Sequence, residues 1–181
     1  TNNHQHQPSV TGFSDGGYIV TWMSNGQDGS QYGIYGQRFA ADGTPHSDGE
    51  FQVNTYTSSE QYYPSVTALA DDAFVVTWYD GGRADVYAQM FNADGTEQGS
   101  EFRVNSYTSS TQSYPSVTAL SEGGFVATWQ SSNQDGSGYG IYGQVFNAAG
   151  AEQGSEFRVN SYTSYDQYDP SVTALDDGSF V

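Results

Sequence analysis

Two loops of this chain hold oxygen atoms at a spacing that suits a hard cation. One reads Ser24-Asn25-Gly26-Gln27-Asp28-Gly29-Ser30 and the other Ser131-Ser132-Asn133-Gln134-Asp135-Gly136-Ser137. Calcium takes about six to eight oxygens from carboxylates, amides, hydroxyls and backbone carbonyls, around a turn tight enough to need glycine. Asn25, Asp28 and Ser30, with Asn133, Asp135 and Ser137, are therefore the candidate metal ligands, and Ca2+ is the candidate cofactor. Asp28 follows Trp22, and Asp135 follows Trp129, by six residues, so the two loops are equivalent. Each has one carboxylate, which equally suits an Asx turn closed by glycine. A third loop shortens to Asp80-Gly81-Gly82-Arg83-Ala84-Asp85 and puts a cation where the others have none.

Other reactive groups are sparse. The histidines are His4, His6 and His46; two near one terminus could approach zinc, but a third ligand is not evident. The arginines Arg38, Arg83, Arg103 and Arg158 do not cluster in sequence. No paired-carboxylate or Ser-His-Asp arrangement is evident, and the expectation is that the chain is not an enzyme. Tyr32, Tyr35, Tyr56, Tyr62, Tyr63, Tyr107, Tyr114 and Tyr142 recur in loops and strands. Such rings could stack on sugars or pack between sheets.

The elements that position these groups recur as well. Pro-Ser-Val-Thr occurs at Pro8, Pro64, Pro115 and Pro170, at intervals of 56, 51 and 55 residues. That period marks a repeat architecture. The repeats are bounded as 1–55, 56–108 and 109–163, with 164–181 beginning a fourth. Residues kept in every copy answer to the scaffold, so chemistry is sought where the copies differ. In the third copy, 114–120 reads as one strand. The run 125–129 reads as a second, with Phe125, Ala127 and Trp129 on one face and Val126 and Thr128 on the other. A third strand spans 139–146 and a short fourth spans 156–160. Asp42-Gly43 and Asp94-Gly95 mark the reversal before the fourth strand, and Ala149-Gly150 replaces them in copy three. No segment has helical periodicity.

These features predict an all-β chain of four-stranded antiparallel blades, β-propeller-like. A β-trefoil is the alternative, disfavoured by a fourth repeat beginning after three. Small strand residues, Gly36, Ala88 and Gly143, predict close approach to the Trp22, Trp78 and Trp129 rings. Three blades and a fraction of a fourth predict an oligomer, or blades supplied by flanking sequence. With 15 Tyr, 10 Phe and 3 Trp, large rings must supply much of the core. Four Lys and Arg face 21 Asp and Glu, for a net charge of −17, which disfavours nucleic acid as a partner. No apolar run approaches a membrane span, so no membrane insertion is expected. Cysteine is absent.

The string from Pro115 through Gly123-Gly124-Phe125-Val126-Ala127-Thr128-Trp129 to Gly150 resembles tandem repeats of very large secreted or surface proteins of bacteria. Those repeats accompany hemolysin-type calcium-binding (RTX) and adhesin modules. The resemblance implies an extracellular or cell-surface location, calcium somewhere in the parent protein, and an adhesive or structural role. Glu97–Ser109 and Glu152–Ser164 are identical over 13 residues, as expected of repetitive surface proteins. The resulting expectation is a non-catalytic extracellular module whose partners are other copies of the repeat or flanking blades. A multivalent carbohydrate-binding propeller, or part of a propeller glycoside hydrolase, is the alternative, with glycans as partners.

Overall fold

The computed structural model describes residues 4–181. It is built from three four-stranded antiparallel sheets, each a meander in chain order. Blade 1 holds β1 (Gln5–Gly12), β2 (Tyr18–Asn25), β3 (Tyr32–Phe39) and β4 (Phe51–Gln52). Blade 2 holds β5 (Gln61–Ala68), β6 (Phe74–Asp80), β7 (Asp85–Phe91) and β8 (Glu97–Arg103). Blade 3 holds β9 (Gln112–Ala119), β10 (Phe125–Ser132), β11 (Tyr139–Phe146) and β12 (Glu152–Arg158). The only helical turn among the described residues is Ala70–Asp72. A fourth unit begins where Thr173 and Val181 exchange backbone hydrogen bonds of 2.8 and 2.9 Å. Three separate sheets laid side by side are a propeller arrangement, which removes the trefoil alternative.

The first strand of each blade faces the axis, because β1 packs on β5 and β5 on β9. The repeated Ser and Thr join these inner strands. Ser9 Oγ accepts the Val66 amide, Ser65 Oγ the Val117 amide and Ser116 Oγ the Val172 amide, each at 3.2 Å. Thr11 and Thr67 take the Ala68 and Ala119 amides in the same way. Edge amides that would otherwise lack a partner are thereby satisfied.

Alternation along the second strands covers both faces. Phe74, Val76 and Trp78 pack with Ile19, Ile34 and Val53 of blade 1. On the opposite face Val75 joins Val86, Ala88 and Val104 against Phe125, Ala127 and Trp129 of blade 3. Trp78 and Trp129 are fully buried. Burying side chains of this size contributes on the order of 2–3 kcal/mol each. The close approach expected at the small residues exists, but two of its partners differ from expectation. A Cβ on Gly36 would lie 3.0 Å from the Phe51 ring, and one on Gly143 would lie 2.9 Å from the Phe157 ring. Those phenylalanines belong to the outer strand of the same blade. Ala88 alone shares a cluster with a tryptophan, Trp129.

An invariant amide pair fixes each outer strand. Asn54, Asn105 and Asn160 accept the amides of Ile34, Val86 and Ile141 at 2.7–2.8 Å. Each donates to Gln61, Gln112 or Gln167, seven residues on. The fourth strand of blade 3 starts at Glu152, four residues before the expected start. Gly154 makes this possible: its φ of +73° lies within the register shift that separates Gln153 from Phe157.

Candidate functional site

With the invariant residues assigned to the scaffold, the variable position before each Pro-Ser-Val-Thr stands out. It holds Gln7, Tyr63, Tyr114 and Asp169. Each has a left-handed backbone, with φ of 53°, 57°, 54° and 51°. Such a conformation costs a non-glycine residue about 1–3 kcal/mol and collects at functional sites. In the three complete blades it lies in a β-bulge, where pairing skips between His6 and Ser9, Tyr62 and Ser65, and Ser113 and Ser116. A bulge re-aims a side chain. Here all four variable residues, with the proline that follows each and with Ser9, Ser65 and Ser116, line one open depression of about 260 Å³ at the axis.

The Tyr63 and Tyr114 rings stack at 3.9 Å between centroids with planes 21° apart. The Tyr114 hydroxyl donates to that of Tyr63 at 2.8 Å. Burial, and then the hydrogen bond with Tyr114, push the Tyr63 hydroxyl up to about 12, and the Asp169 charge pushes it in the same direction. It stays a neutral donor at physiological pH. The Asp169 amide donates to Gln130 Oε1 at 3.3 Å, which anchors this acid to blade 3. The depression therefore presents a rigid aromatic face, an amide and a carboxylate. These are groups that hold a polyhydroxylated ring by stacking and hydrogen bonds.

The loops singled out in the sequence lie at the same end of the blades, around the second-to-third-strand connections. Asp28 Oδ1 accepts the Ser30 amide at 2.9 Å and Asp135 Oδ1 accepts the Ser137 amide at 3.2 Å. Both are Asx turns. Their Oδ2 atoms are buried without a hydrogen-bond partner. Each lies over a glycine, 2.8 Å from where a Cβ on Gly33 would stand and 2.9 Å for Gly140. In blade 2 the equivalent residue is Asp85, so a carboxylate reaches this place in every blade, twice from the loop and once from the strand. The Asn25 amide bonds the His4 carbonyl, and Asn133 Nδ2 bonds Ser132 Oγ. Neither asparagine is joined to the carboxylate of its own loop by these bonds. Among the described residues no three His, Cys, Asp or Glu converge as a metal centre.

Arg83 lies between the Tyr56 and Tyr87 rings, 4.0 and 4.3 Å from their centroids. It pairs with Glu101 at 2.6 Å and with Asp80 at 3.6 Å. In blades 1 and 3, Gln27 and Gln134 bond the equivalent Glu50 and Glu156.

No family model matches the chain, and no curated protein matches it. Solved structures do. An endo-arabinase from Bacteroides thetaiotaomicron superposes with a TM-score of 0.60 at 19% identity, covering 96% of this chain and 67% of that one. An α-L-arabinanase from Penicillium chrysogenum, complexed with arabinobiose, gives 0.63 at 15%, covering 97% and 51%. An α-L-arabinofuranosidase from Fusarium graminearum gives 0.61 at 12%, covering 97% and 50%. The chain spans half to two thirds of the length of these proteins. At such identities the likeness establishes the β-propeller fold. It also corrects the expectation that the chain is not an enzyme, which rested on the lack of an evident paired-carboxylate or Ser-His-Asp arrangement: the three solved propellers named above are an endo-arabinase, an arabinanase and an arabinofuranosidase.

Proposed function

We propose that this chain is an arc of a glycoside-hydrolase-type propeller that takes a saccharide at its axis. The Tyr63–Tyr114 stack is the platform for a sugar ring, and Gln7 and Asp169 bond its hydroxyls. The observation that carries this reading is the set of four variable residues turned into one depression by four left-handed backbones. The three fold neighbours named above act on glycans, which supports the substrate class.

Glycosidic hydrolysis commonly needs two carboxyl groups, about 5–5.5 Å apart for retention or about 6.5–9.5 Å apart for inversion. Asp169 is one, and none of the other three axial positions carries a second. In this reading the second acid comes from blades that complete the ring. Asp169 is the acid of this arc that stands at the reacting end of the sugar.

Isothermal titration with arabinobiose and galactobiose tests the reading. Binding by the wild type, lost in Tyr114→Ala and weakened in Asp169→Asn with an unchanged melting temperature, supports it. No heat with either disaccharide, or heat that Tyr114→Ala leaves intact, contradicts it.

A further inference from the structure

The rings do not stop at the axis. Tyr62 lies 5.8 Å from Tyr63, Tyr32 lies 5.5 Å from Tyr62, and His6 lies 6.1 Å from Tyr32. An unbroken run of rings thus leads from Tyr114 outward over blades 1 and 2. His6, Gln7, Met23, Tyr32, Tyr62 and Tyr63 line a second open depression of about 450 Å³. Gln7 and Tyr63 line both depressions, so the two adjoin.

The Tyr32–Tyr62 pair has a counterpart. Tyr139 opens the third strand of blade 3 as Tyr32 opens that of blade 1, and Tyr168 stands two residues before its proline as Tyr62 does. Tyr139 and Tyr168 lie 5.4 Å apart. At the junction between these two pairs, that of blades 2 and 3, Ala84 and Ser113 take the equivalent positions. Two ring pairs therefore stand two blade steps apart, and the axial stack lies between them. Tyr32 and Tyr62 pack against the core between blades 1 and 2, yet the junction with Ala84 and Ser113 encloses its own buried cluster without such a pair.

We infer that these pairs are distal subsites, and that the saccharide bound at the axis is an internal stretch of a neutral polysaccharide laid across the mouth of the propeller. This rests on the axial reading and extends it from one sugar ring to a chain. Neutrality follows from the charges along the path. Glu60 and Asp166 place carboxylates within electrostatic reach of the Tyr62 and Tyr168 hydroxyls. Asp169 lines the axial depression, and no arginine lines either depression. On a chain of net charge −17 these acids repel a uronate polymer.

Titration with arabino- and galacto-oligosaccharides of increasing length tests this. The hexasaccharide of the bound series is expected to bind about tenfold or more tightly than its disaccharide, from the added ring contacts. Tyr32→Ala and Tyr139→Ala should each remove about tenfold of hexasaccharide affinity and leave the disaccharide unchanged; Tyr32→Phe should retain it. Polygalacturonate should not compete. A hexasaccharide no tighter than the disaccharide, or one insensitive to both alanine variants, overturns the distal subsites while leaving the axial site standing. Competition by polygalacturonate overturns neutrality. Binding of no saccharide overturns both readings.

Discussion

Ser65 Oγ accepts the Val117 amide at 3.2 Å, so a side chain from one blade completes the backbone bonding of the next. The same bond recurs from Ser9 to Val66 and from Ser116 to Val172. This explains why the serine of each Pro-Ser-Val-Thr persists while the residue before the proline changes.

Removing that oxygen leaves an amide without its acceptor. Ser65→Ala is expected to cost about 1–2 kcal/mol of unfolding free energy. Ser65→Thr keeps the hydroxyl and should lose less. Urea denaturation measures both, and an alanine variant as stable as wild type would show that the bond contributes nothing.

The Asn105 side chain bonds the Val86 amide, the Tyr107 carbonyl and Asp85 within 2.8 Å, and Gln112 at 3.4 Å, in a buried setting. Asn105→Ala leaves several buried groups unpaired at once. A loss of about 2–4 kcal/mol is expected. The equivalent change at Asn160, beside the partly formed fourth unit, should cost less. Thermal melting of the two variants compares them directly.

Blade 2 differs from its siblings at two coupled positions. Arg83 and Asp80 stand where the other blades hold Gln27 and Ser24, or Gln134 and Ser131. Arg83→Gln alone removes the charged partner of a fully buried Asp80, which keeps only the Gly82 and Arg83 amides, and should destabilise by about 2 kcal/mol. Arg83→Gln with Asp80→Ser restores the pattern of blades 1 and 3 and should recover much of that loss. Strict additivity of the two changes, in a double-mutant cycle by denaturation, would contradict the coupling.

Two groups of carboxylates give opposite pH trends. Burial pushes the Asp80 carboxyl up, against the pull of the Arg83 and Gly82 amides and the Arg83 charge. Folded Asp80 thus holds its proton to higher pH than unfolded Asp80, and its contribution falls as pH rises from the ordinary carboxylate range through the raised value. Asp94 and Asp42 go the other way, held down first by the Thr96 and Thr44 side chains. Their contribution is present above the unfolded pKa and fades as pH falls through the lowered one. Against wild type across pH 3 to 8, Asp80→Asn should gain relative stability towards neutral pH. Asp94→Ala should lose stability at neutral pH and converge with wild type in acid. The reverse trend in either variant contradicts the assignment.

Much of this fold was legible because its signals are local. Phe125, Ala127 and Trp129 alternate with Val126 and Thr128, and the interleaved cores follow from that pattern. The start of the fourth strand was not legible, since Glu152-Gln153-Gly154-Ser155 is polar and exposed and its pairing is set by a bulge. The partners of Gly36 and Gly143 were hidden too: Phe51 and Phe157 reach them across a strand pair, which period-two counting within one strand does not reveal. Tyr63 and Tyr114 stand among the rings that the sequence offers for sugar stacking, but their meeting with Gln7 and Asp169 is not legible, since it depends on left-handed backbones that in the complete blades sit in bulges. The available signal was variability directly beside an invariant tetrapeptide. Asp28 and Asp135 stand in polar, glycine-rich loops whose composition suits a cation and a turn alike, and the bonds that close those loops are Asx turns.

The axial saccharide site is the claim on which the functional reading stands. Residue-resolved NMR titration with arabinobiose, galactobiose and their longer oligomers tests it most directly. The account predicts shifts centred on Gln7, Tyr63, Tyr114 and Asp169, abolished by Tyr114→Ala while the remaining spectrum is preserved. Shifts centred elsewhere, on the Asp28 or Asp135 loops for example, or no shifts with any of these sugars, would contradict it.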